Sequence, residues 1–226
     1  MSEWWTYHLS DLLLFSARTY YRLYELYNAA IWPAQIPALA LALAIVLLLR
    51  RGEAASRGIS LILAAGWLWI GVAFLAKRYA AINWSATDFA WAFGIEAALL
   101  LWFGVVRGGL AFARPTRLAG RVGLGIFLFA LLVEPLLAPL LGRGWRGAQL
   151  LLLCPDPTAI GTLGLLLLAQ TRRRWPLMVL PVLWCIYTAV FLLAMKSPDF
   201  AIPPLAAAWV IFLTAKTRRT RSASGR

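Results

Sequence analysis

The stretch LLLLCPDPTAIGTLGLLLLAQ, residues 150–170, is a long apolar run interrupted by a carboxylate and two prolines. Its length is close to the ~20 apolar residues that an α-helix needs to cross a ~30 Å hydrocarbon core. The interruption, CPDPT at residues 154–158, contains a charged group that is costly in lipid and a proline that ends a helix. The run therefore predicts a membrane-embedded segment that is broken at residues 154–158.

The composition of the whole chain is typical of an integral membrane protein. Its 226 residues are 62% hydrophobic and only 14% charged, far from the usage of soluble domains. An all-α bundle of about seven transmembrane helices is the predicted fold, because seven apolar runs have the required length. The predicted spans are roughly residues 28–49, 59–76, 89–106, 121–141, 149–170, 176–195 and 201–215.

The basic residues predict the orientation of these spans. Fifteen Lys and Arg residues lie in 50–57, 107–121, 172–174 and 216–226, and only five lie in the alternate loops. Since Lys and Arg favour the cytoplasmic side, the N-terminus is expected outside and the C-terminus in the cytoplasm. An odd number of spans satisfies this distribution, whereas six spans do not. The net charge of +13 then indicates contact with anionic lipids at the cytoplasmic face rather than with nucleic acid.

The N-terminal residues predict an amphipathic helix before the first span. At about 100° per residue, its charged and apolar side chains fall on opposite faces. The charged face is formed by Asp11, Arg18, Arg22 and Glu25, and the apolar face by Leu9, Leu12, Leu13, Tyr20, Leu23, Tyr24 and Tyr27. Such a helix lies in the outer membrane interface, or else packs over the mouth of the bundle. The predicted organisation is residues 1–27 as interfacial helix, 28–215 as transmembrane domain and 216–226 as basic cytoplasmic tail.

Three acidic residues are expected at membrane depth. Glu96 lies in the third span, Glu134 in the fourth and Asp156 in the break of the fifth. The first two lie about seven residues, or roughly 10 Å, from the outer ends of their spans. Charged groups at such depth usually face the interior of a bundle. We therefore expect one polar cavity, open to the outer side, that the three carboxyl groups share. The alternative is three carboxyl groups that are hydrogen-bonded separately.

The Asp-Pro pair in the break is typical of a helix start. Proline fits the first turn, and an aspartate before it accepts hydrogen bonds from the free N–H groups of that turn. The sequence predicts a helix that begins near Pro157 with Asp156 as its N-cap, and this role alone explains the break equally well. Further candidates for binding an ion or substrate are Thr158 and, in the loop before the third span, Asn83 and Asp88.

The sequence offers few side chains that bind metals or cofactors. His8 is the single histidine, which excludes a bis-histidine haem site, and the two cysteines lack the spacing of a zinc site. No phosphate-binding glycine loop or nucleophile motif is present. We therefore expect no metal, no cofactor and no enzymatic activity. Cys154, beside the break, should react with a small thiol reagent from the outer side, and Cys185 should not.

Three stretches of the chain resemble an uncharacterised family of small bacterial inner-membrane proteins. They are MSEWWTYHLSDLLLFSARTYYRLYELYNAAIWPAQ at 1–35, INWSATDF at 82–89 and CPDPTAIGTLGLLLLA at 154–169. That family is known only as a domain of unknown function, and some of its members are loosely labelled permeases. The resemblance implies a multi-span protein of the bacterial inner membrane and assigns no role to any residue.

The acids and the broken helix favour a permease or carrier for a small cation or for a proton-coupled solute, because carriers often build such sites at helix breaks. The alternative is a non-catalytic membrane scaffold or sensor that binds partners through the N-terminal helix and the basic tail. A scaffold tolerates Asp156→Asn but not disruption of the apolar stripe that includes Tyr20. A carrier shows the reverse.

Overall fold

The apolar runs of the sequence fold into α-helices. A computed structural model describes residues 13–51, 55–112, 115–171 and 174–223, with side chains up to Lys216. Within these residues there are nine α-helices and no β-strand, which confirms the predicted all-α architecture. The helices are α1 (Ala17–Ala30), α2 (Gln35–Arg50), α3 (Ser56–Trp69), α4 (Ala86–Leu100), α5 (Leu118–Leu128), α6 (Glu134–Leu140), α7 (Pro155–Leu168), α8 (Arg174–Ala194) and α9 (Ile202–Ala223).

Three of these helices continue into π-helical turns. Ile70–Ala76 extends α3, Leu101–Val106 extends α4, and Phe129–Val133 joins α5 to α6. The last π-helical segment has a local cause, because Pro135 lacks the N–H group that would bond to the carbonyl four residues earlier. The hydrogen-bond ladder shifts immediately before that proline, and Glu134 lies at the shift.

Within the described part of the chain, five helical segments are long and apolar enough to cross a membrane. They are Ser56–Ala81, Ala86–Val106, Leu118–Leu140, Arg174–Ala194 and Pro198–Lys216, and they correspond to the second, third, fourth, sixth and seventh predicted spans. The pair α1 and α2 would be a sixth, but the two helices are bent by 94°. The helix α7 has 14 residues, about 21 Å at 1.5 Å per residue, and is shorter than a ~30 Å core. Five to six candidate spans, rather than seven, are therefore found.

The first predicted span, residues 28–49, is not one continuous helix. The chain turns at residues 31–34, between α1 and α2. The helix α1 begins after Ser16, whose hydroxyl accepts a hydrogen bond of 3.2 Å from the backbone N–H of Thr19. Residues 28–30 thus belong to α1, which runs nearly perpendicular to α2.

The tyrosines of α1 face the protein. Tyr20, Tyr24 and Tyr27 are buried, whereas Arg22 forms an ion pair with Glu25 at the surface. This is the arrangement expected of a helix packed over the mouth of the bundle. Residues 1–12 of the predicted amphipathic helix lie outside the described part of the chain.

The helix α7 is enclosed by the others. All of its 14 residues are buried, and it packs against α3, α5, α8 and α9. Its backbone closely approaches α5, because a Cβ atom on Gly164 would lie 2.6 Å from the carbonyl oxygen of Gly123. The indole N–H of Trp67 on α3 donates a 2.9 Å hydrogen bond to the hydroxyl of Thr162. The glycines and this bond fix α7 as the central helix of the bundle.

The C-terminal end of α7 lies beside the segment that follows α4. Ala169 forms an isolated β-bridge with Phe112, and the backbone N–H of Gln170 donates to the carbonyl of Ala111 at 2.9 Å. Arg174 also donates to the carbonyl of Ala169 at 3.3 Å. The C-terminal ends of α4 and α7 therefore lie at the same end of the bundle.

Candidate functional site

The break in the apolar run is a helix start that lies two residues earlier than predicted. The helix α7 begins at Pro155, and Cys154 occupies its N-cap position. The assignment of Asp156 as the N-cap is therefore wrong. Two prolines fit the first turn because the N–H groups there have no partner within the helix. Asp156 is thus the second residue of α7, and its side chain is free to bond elsewhere.

The carboxyl group of Asp156 is buried, with 3% of the residue exposed, and is held by α8. Its Oδ1 accepts hydrogen bonds from the indole N–H of Trp184 at 2.7 Å and from the hydroxyl of Thr188 at 2.9 Å. The two donors are four residues apart and lie on one face of α8. Two neutral donors therefore converge on one oxygen of a carboxyl group inside the bundle.

The backbone before α7 is irregular and buried. Leu152 adopts φ of 70°, a region that residues other than glycine rarely occupy. Its N–H donates to the hydroxyl of Thr158 at 2.8 Å, and the hydroxyl of Tyr27 donates to the carbonyl of Leu153 at 2.9 Å. Thr158, predicted as a ligand, therefore stabilises the irregular segment through this bond.

Glu134 lies near Asp156. It is the first residue of α6 and is buried. Its carboxyl group interacts electrostatically with those of Asp156 and Asp199, and its Oε2 has no hydrogen-bond partner among the described residues. Two buried like charges repel each other strongly in a low-dielectric interior. A proton or a small cation between them would relieve that repulsion.

Glu96, the third acid, lies on α4. It is fully buried, and neither of its carboxyl oxygens has a hydrogen-bond partner among the described residues. A cavity that all three acids share therefore stays a prediction. Residues at the same depth need not be neighbours, because the direction in which each side chain leaves its helix decides what it contacts.

The two loop candidates differ in position. Asn83 is buried; its Oδ1 accepts from the N–H of Ser85 at 3.0 Å, and its Nδ2 donates to the hydroxyl of Tyr187 at 3.3 Å. Asp88 lies in the first turn of α4 and is exposed. Asn83 therefore contacts the aromatic side chains of α8, and Asp88 lies on the surface.

An ion pair that the sequence did not predict lies close to the same acids. Arg143 donates two hydrogen bonds to Asp199, at 2.9 and 3.1 Å, and a third to Ser197 at 2.7 Å. Its guanidinium also lies 3.9 Å from the ring centre of Tyr21. The carboxyl group of Asp199 interacts electrostatically with that of Asp156. This pair thus joins α1, the loop after α6 and the turn before α9 beside the buried acids.

Trp184 is also part of an aromatic layer. Its ring centre lies 4.9 Å from that of Phe93 and 5.3 Å from that of Tyr187. The hydroxyl groups of Tyr187 and Tyr79 are hydrogen-bonded at 3.0 Å. Sequence analysis missed Trp184 and Tyr187, although their N–H and O–H groups within an apolar span require partners.

Neither cysteine is accessible at the surface. Cys154 and Cys185 are both buried free thiols, so the expected reaction of Cys154 with an outer reagent has no open path here. Among the described residues, no group of three or more His, Cys, Asp or Glu is arranged to hold a metal ion.

Comparison with known proteins identifies a family. The sequence model of a family of unknown function (DUF6064) matches residues 17–224, which include all nine helices and the surroundings of Asp156. No match is found among curated proteins or solved structures.

Proposed function

The chain belongs to the DUF6064 family of unknown function, and from that premise we propose that it moves protons, or a small cation or solute coupled to protons, across a membrane. The observation that supports this proposal is the environment of Asp156. Its carboxyl group is buried at the start of an enclosed helix and is held by Trp184 and Thr188. An ionisable group at membrane depth is costly, and such groups mark ion and proton pathways.

Asp156 and Glu134 form the proposed ion or proton site. A proton or cation that binds between them offsets their repulsion, and its departure restores the repulsion. The irregular backbone at residues 150–154 supports this role, because non-helical backbone at membrane depth occurs inside protein or beside a cavity. The carboxyl group of Asp199, which is paired with Arg143, interacts electrostatically with both acids. The proposed site does not include Glu96, whose carboxyl oxygens have no hydrogen-bond partner among the described residues.

The proposed setting is a bacterial inner membrane, with the N-terminus outside and the C-terminus in the cytoplasm. The short helices α2 and α7 then complete seven passes. Ala169, after α7, pairs with Phe112, after α4, so α4 and α7 end at the same side of the bundle. That side also contains the exposed basic residues Arg50, Arg57 and Arg107, which suit contact with anionic lipids.

Proton flux into liposomes tests this function. The purified chain is reconstituted with an enclosed pH-sensitive dye, and a potassium diffusion potential drives proton entry. We expect flux above that of empty liposomes, little flux from Asp156→Asn and reduced flux from Glu134→Gln. Glu25→Gln, which removes an acid paired with Arg22 at the surface, is the matched control and should retain the flux. Flux that survives in the double variant of Asp156 and Glu134 would contradict the proposal.

The alternative is a scaffold or sensor that binds partners through the N-terminal helix and the basic tail. Tyr20 and Tyr24 of that helix are buried against Phe74, Tyr79 and Phe191. A partner could reach these tyrosines only if α1 left the bundle. The contacts of α1 therefore favour the transport proposal.

A further inference from the structure

A pocket of about 330 Å³ lies beside the start of α4, a volume within the usual range for small-molecule sites. One wall of the pocket is aromatic. The rest is lined by aliphatic side chains and by two polar ones, Asn83 and Ser85. No charged side chain lines it among the residues that the structure describes. The rings of the wall belong to Phe15, Trp84, Phe89, Tyr187 and Phe191.

One side chain separates this pocket from Asp156. The ring of Trp184 packs edge-on against Phe89, with centres 5.6 Å apart, and lies 5.3 Å from Tyr187. On its other side, the indole N–H of Trp184 lies 2.7 Å from Oδ1 of Asp156. The carboxyl group of Asp156 also interacts electrostatically with the hydroxyl of Tyr187. An acidic group therefore stands directly behind the aromatic wall.

We infer that this pocket binds a small organic cation, whose ammonium group lies against the rings of Phe89 and Tyr187 while its apolar part contacts Phe15 and Phe191. Aromatic faces attract cations, and sites for quaternary ammonium ions are built from such rings. When Asp156 is ionised, its negative charge behind Trp184 also attracts the cation. The inference rests on the proposed function and names the class of its substrate.

Other classes of ligand fit the pocket less well. An anion would be repelled by Asp156 and would find few donors, because the amide of Asn83 already donates to Tyr187. A neutral apolar molecule, such as a lipid chain, would contact the rings but would gain nothing from the nearby carboxyl group. The charge of the ligand therefore distinguishes an organic-cation site from an apolar groove.

A matched pair of probes tests this distinction. The cation 3-hydroxyphenyltrimethylammonium and the neutral 3-tert-butylphenol have the same shape, and a carbon atom replaces the charged nitrogen in the second. Titration calorimetry on the purified full chain in lipid nanodiscs measures both affinities. We expect the cation to bind about tenfold more tightly, the size expected of a cation–π contribution. Equal affinities, or tighter binding of the neutral probe, would overturn the inference.

Two exposed tryptophans provide a variant and its control. Trp84 lines the pocket, Trp91 does not, and both are 74% exposed. Because neither is part of the core, Trp84→Leu and Trp91→Leu should both keep the wild-type melting temperature. We expect Trp84→Leu to weaken binding of the cation about threefold or more, and Trp91→Leu to leave it unchanged. The same affinity in both variants would count against the pocket as the site.

The tyrosine of the wall gives an independent test. Tyr187→Phe retains the ring and should retain the affinity for the cation, whereas Tyr187→Leu removes the ring and should weaken it about tenfold. If both variants lost binding equally, the hydroxyl rather than the ring would be responsible, and the inference would fail.

The liposome assay separates this inference from the proposed function. Proton flux together with equal affinities for the two probes would sustain the transport proposal and refute the organic-cation site. Selective binding of the cation without proton flux, in liposomes assayed both with and without that cation, would sustain the site and refute transport.

Discussion

Trp184 of α8 donates its indole N–H to Oδ1 of Asp156 in the first turn of α7, at 2.7 Å. The same ring packs edge-on against Phe89, which lines the aromatic pocket. One side chain thus contacts both the buried carboxyl group and the wall of the proposed cation site. A change at Trp184 should affect both regions.

Loss of that hydrogen bond should destabilise the protein. Trp184→Phe keeps an aromatic ring but removes the donor, and we expect it to lower the free energy of unfolding by about 1–3 kcal/mol. Trp209→Phe, at an exposed position of α9, should have little effect. Circular dichroism during thermal unfolding in detergent measures both variants. The effect of Trp184→Phe should shrink in an Asp156→Asn background, because the two residues are in contact. Additive effects would argue against this bond as the cause.

The close approach of α5 and α7 requires glycine at their contact. A Cβ atom on Gly123 would lie 2.4 Å from the carbonyl oxygen of Gly164, whereas one on Gly125 would meet no atom within 4 Å. We expect Gly123→Ala to lower the free energy of unfolding by about 1–3 kcal/mol. Gly125→Ala, in the same helix, should be neutral or slightly stabilising. Thermal unfolding of the two alanine variants measures the difference, and equal melting temperatures would contradict it.

The ion pair of Arg143 and Asp199 should stabilise the fold more than the ion pair of Arg22 and Glu25 on α1. Its side chains are only 13% and 11% exposed, whereas Arg22 of the other pair is 60% exposed. Removing one partner of a fully buried pair costs about 3–5 kcal/mol, and an exposed pair contributes about 1 kcal/mol or less. The part-buried pair of Arg143 and Asp199 should fall between these limits. We therefore expect Arg143→Gln to lower the free energy of unfolding more than Arg22→Gln. Chemical unfolding followed by tryptophan fluorescence tests this order, and the reverse order would refute it.

Labelling of introduced cysteines tests the seven proposed passes. Cys154 and Cys185 are buried and should give little background. Thr87 and Thr116 are exposed at opposite ends of the segment that contains α4. We expect an impermeant maleimide to label Thr87→Cys in intact cells, and Thr116→Cys only after lysis. A fluorescent protein fused to the C-terminus should also be cytoplasmic. A cytoplasmic Thr116→Cys together with an external C-terminus would contradict the four passes proposed after residue 116, and with them the count of seven.

The sequence predicted most of the helices because the length of an apolar run is a local property. The predicted helix boundaries were wrong where neighbouring residues moved the start of a helix or divided it. Pro155 and Pro157 both fit one first turn, so α7 began before Asp156 and its carboxyl group was not needed as a cap. The turn between α1 and α2 likewise divided a run that appeared long enough to span.

The candidate site was only partly predictable. The cost of burying charge correctly identified Asp156, Glu134 and Glu96 as interior residues, but it does not indicate which of them lie together. The donors of Asp156 left a faint signal, since Trp184 and Thr188 are polar groups one turn apart within an apolar span. The partners Arg143 and Asp199 are 56 residues apart in the chain, and no local pattern indicates such a pair.

The enclosure of α7 has a consequence for biogenesis. When the ribosome has completed α7, the chain contains α5 and α3 but not α8, so Asp156 lacks both of its donors. A 14-residue helix with an unpaired carboxyl group is poorly suited to rest alone in the bilayer. Its stable insertion therefore depends on the later arrival of Trp184 and Thr188. We therefore expect chains truncated before α8 to be less stable than the full chain.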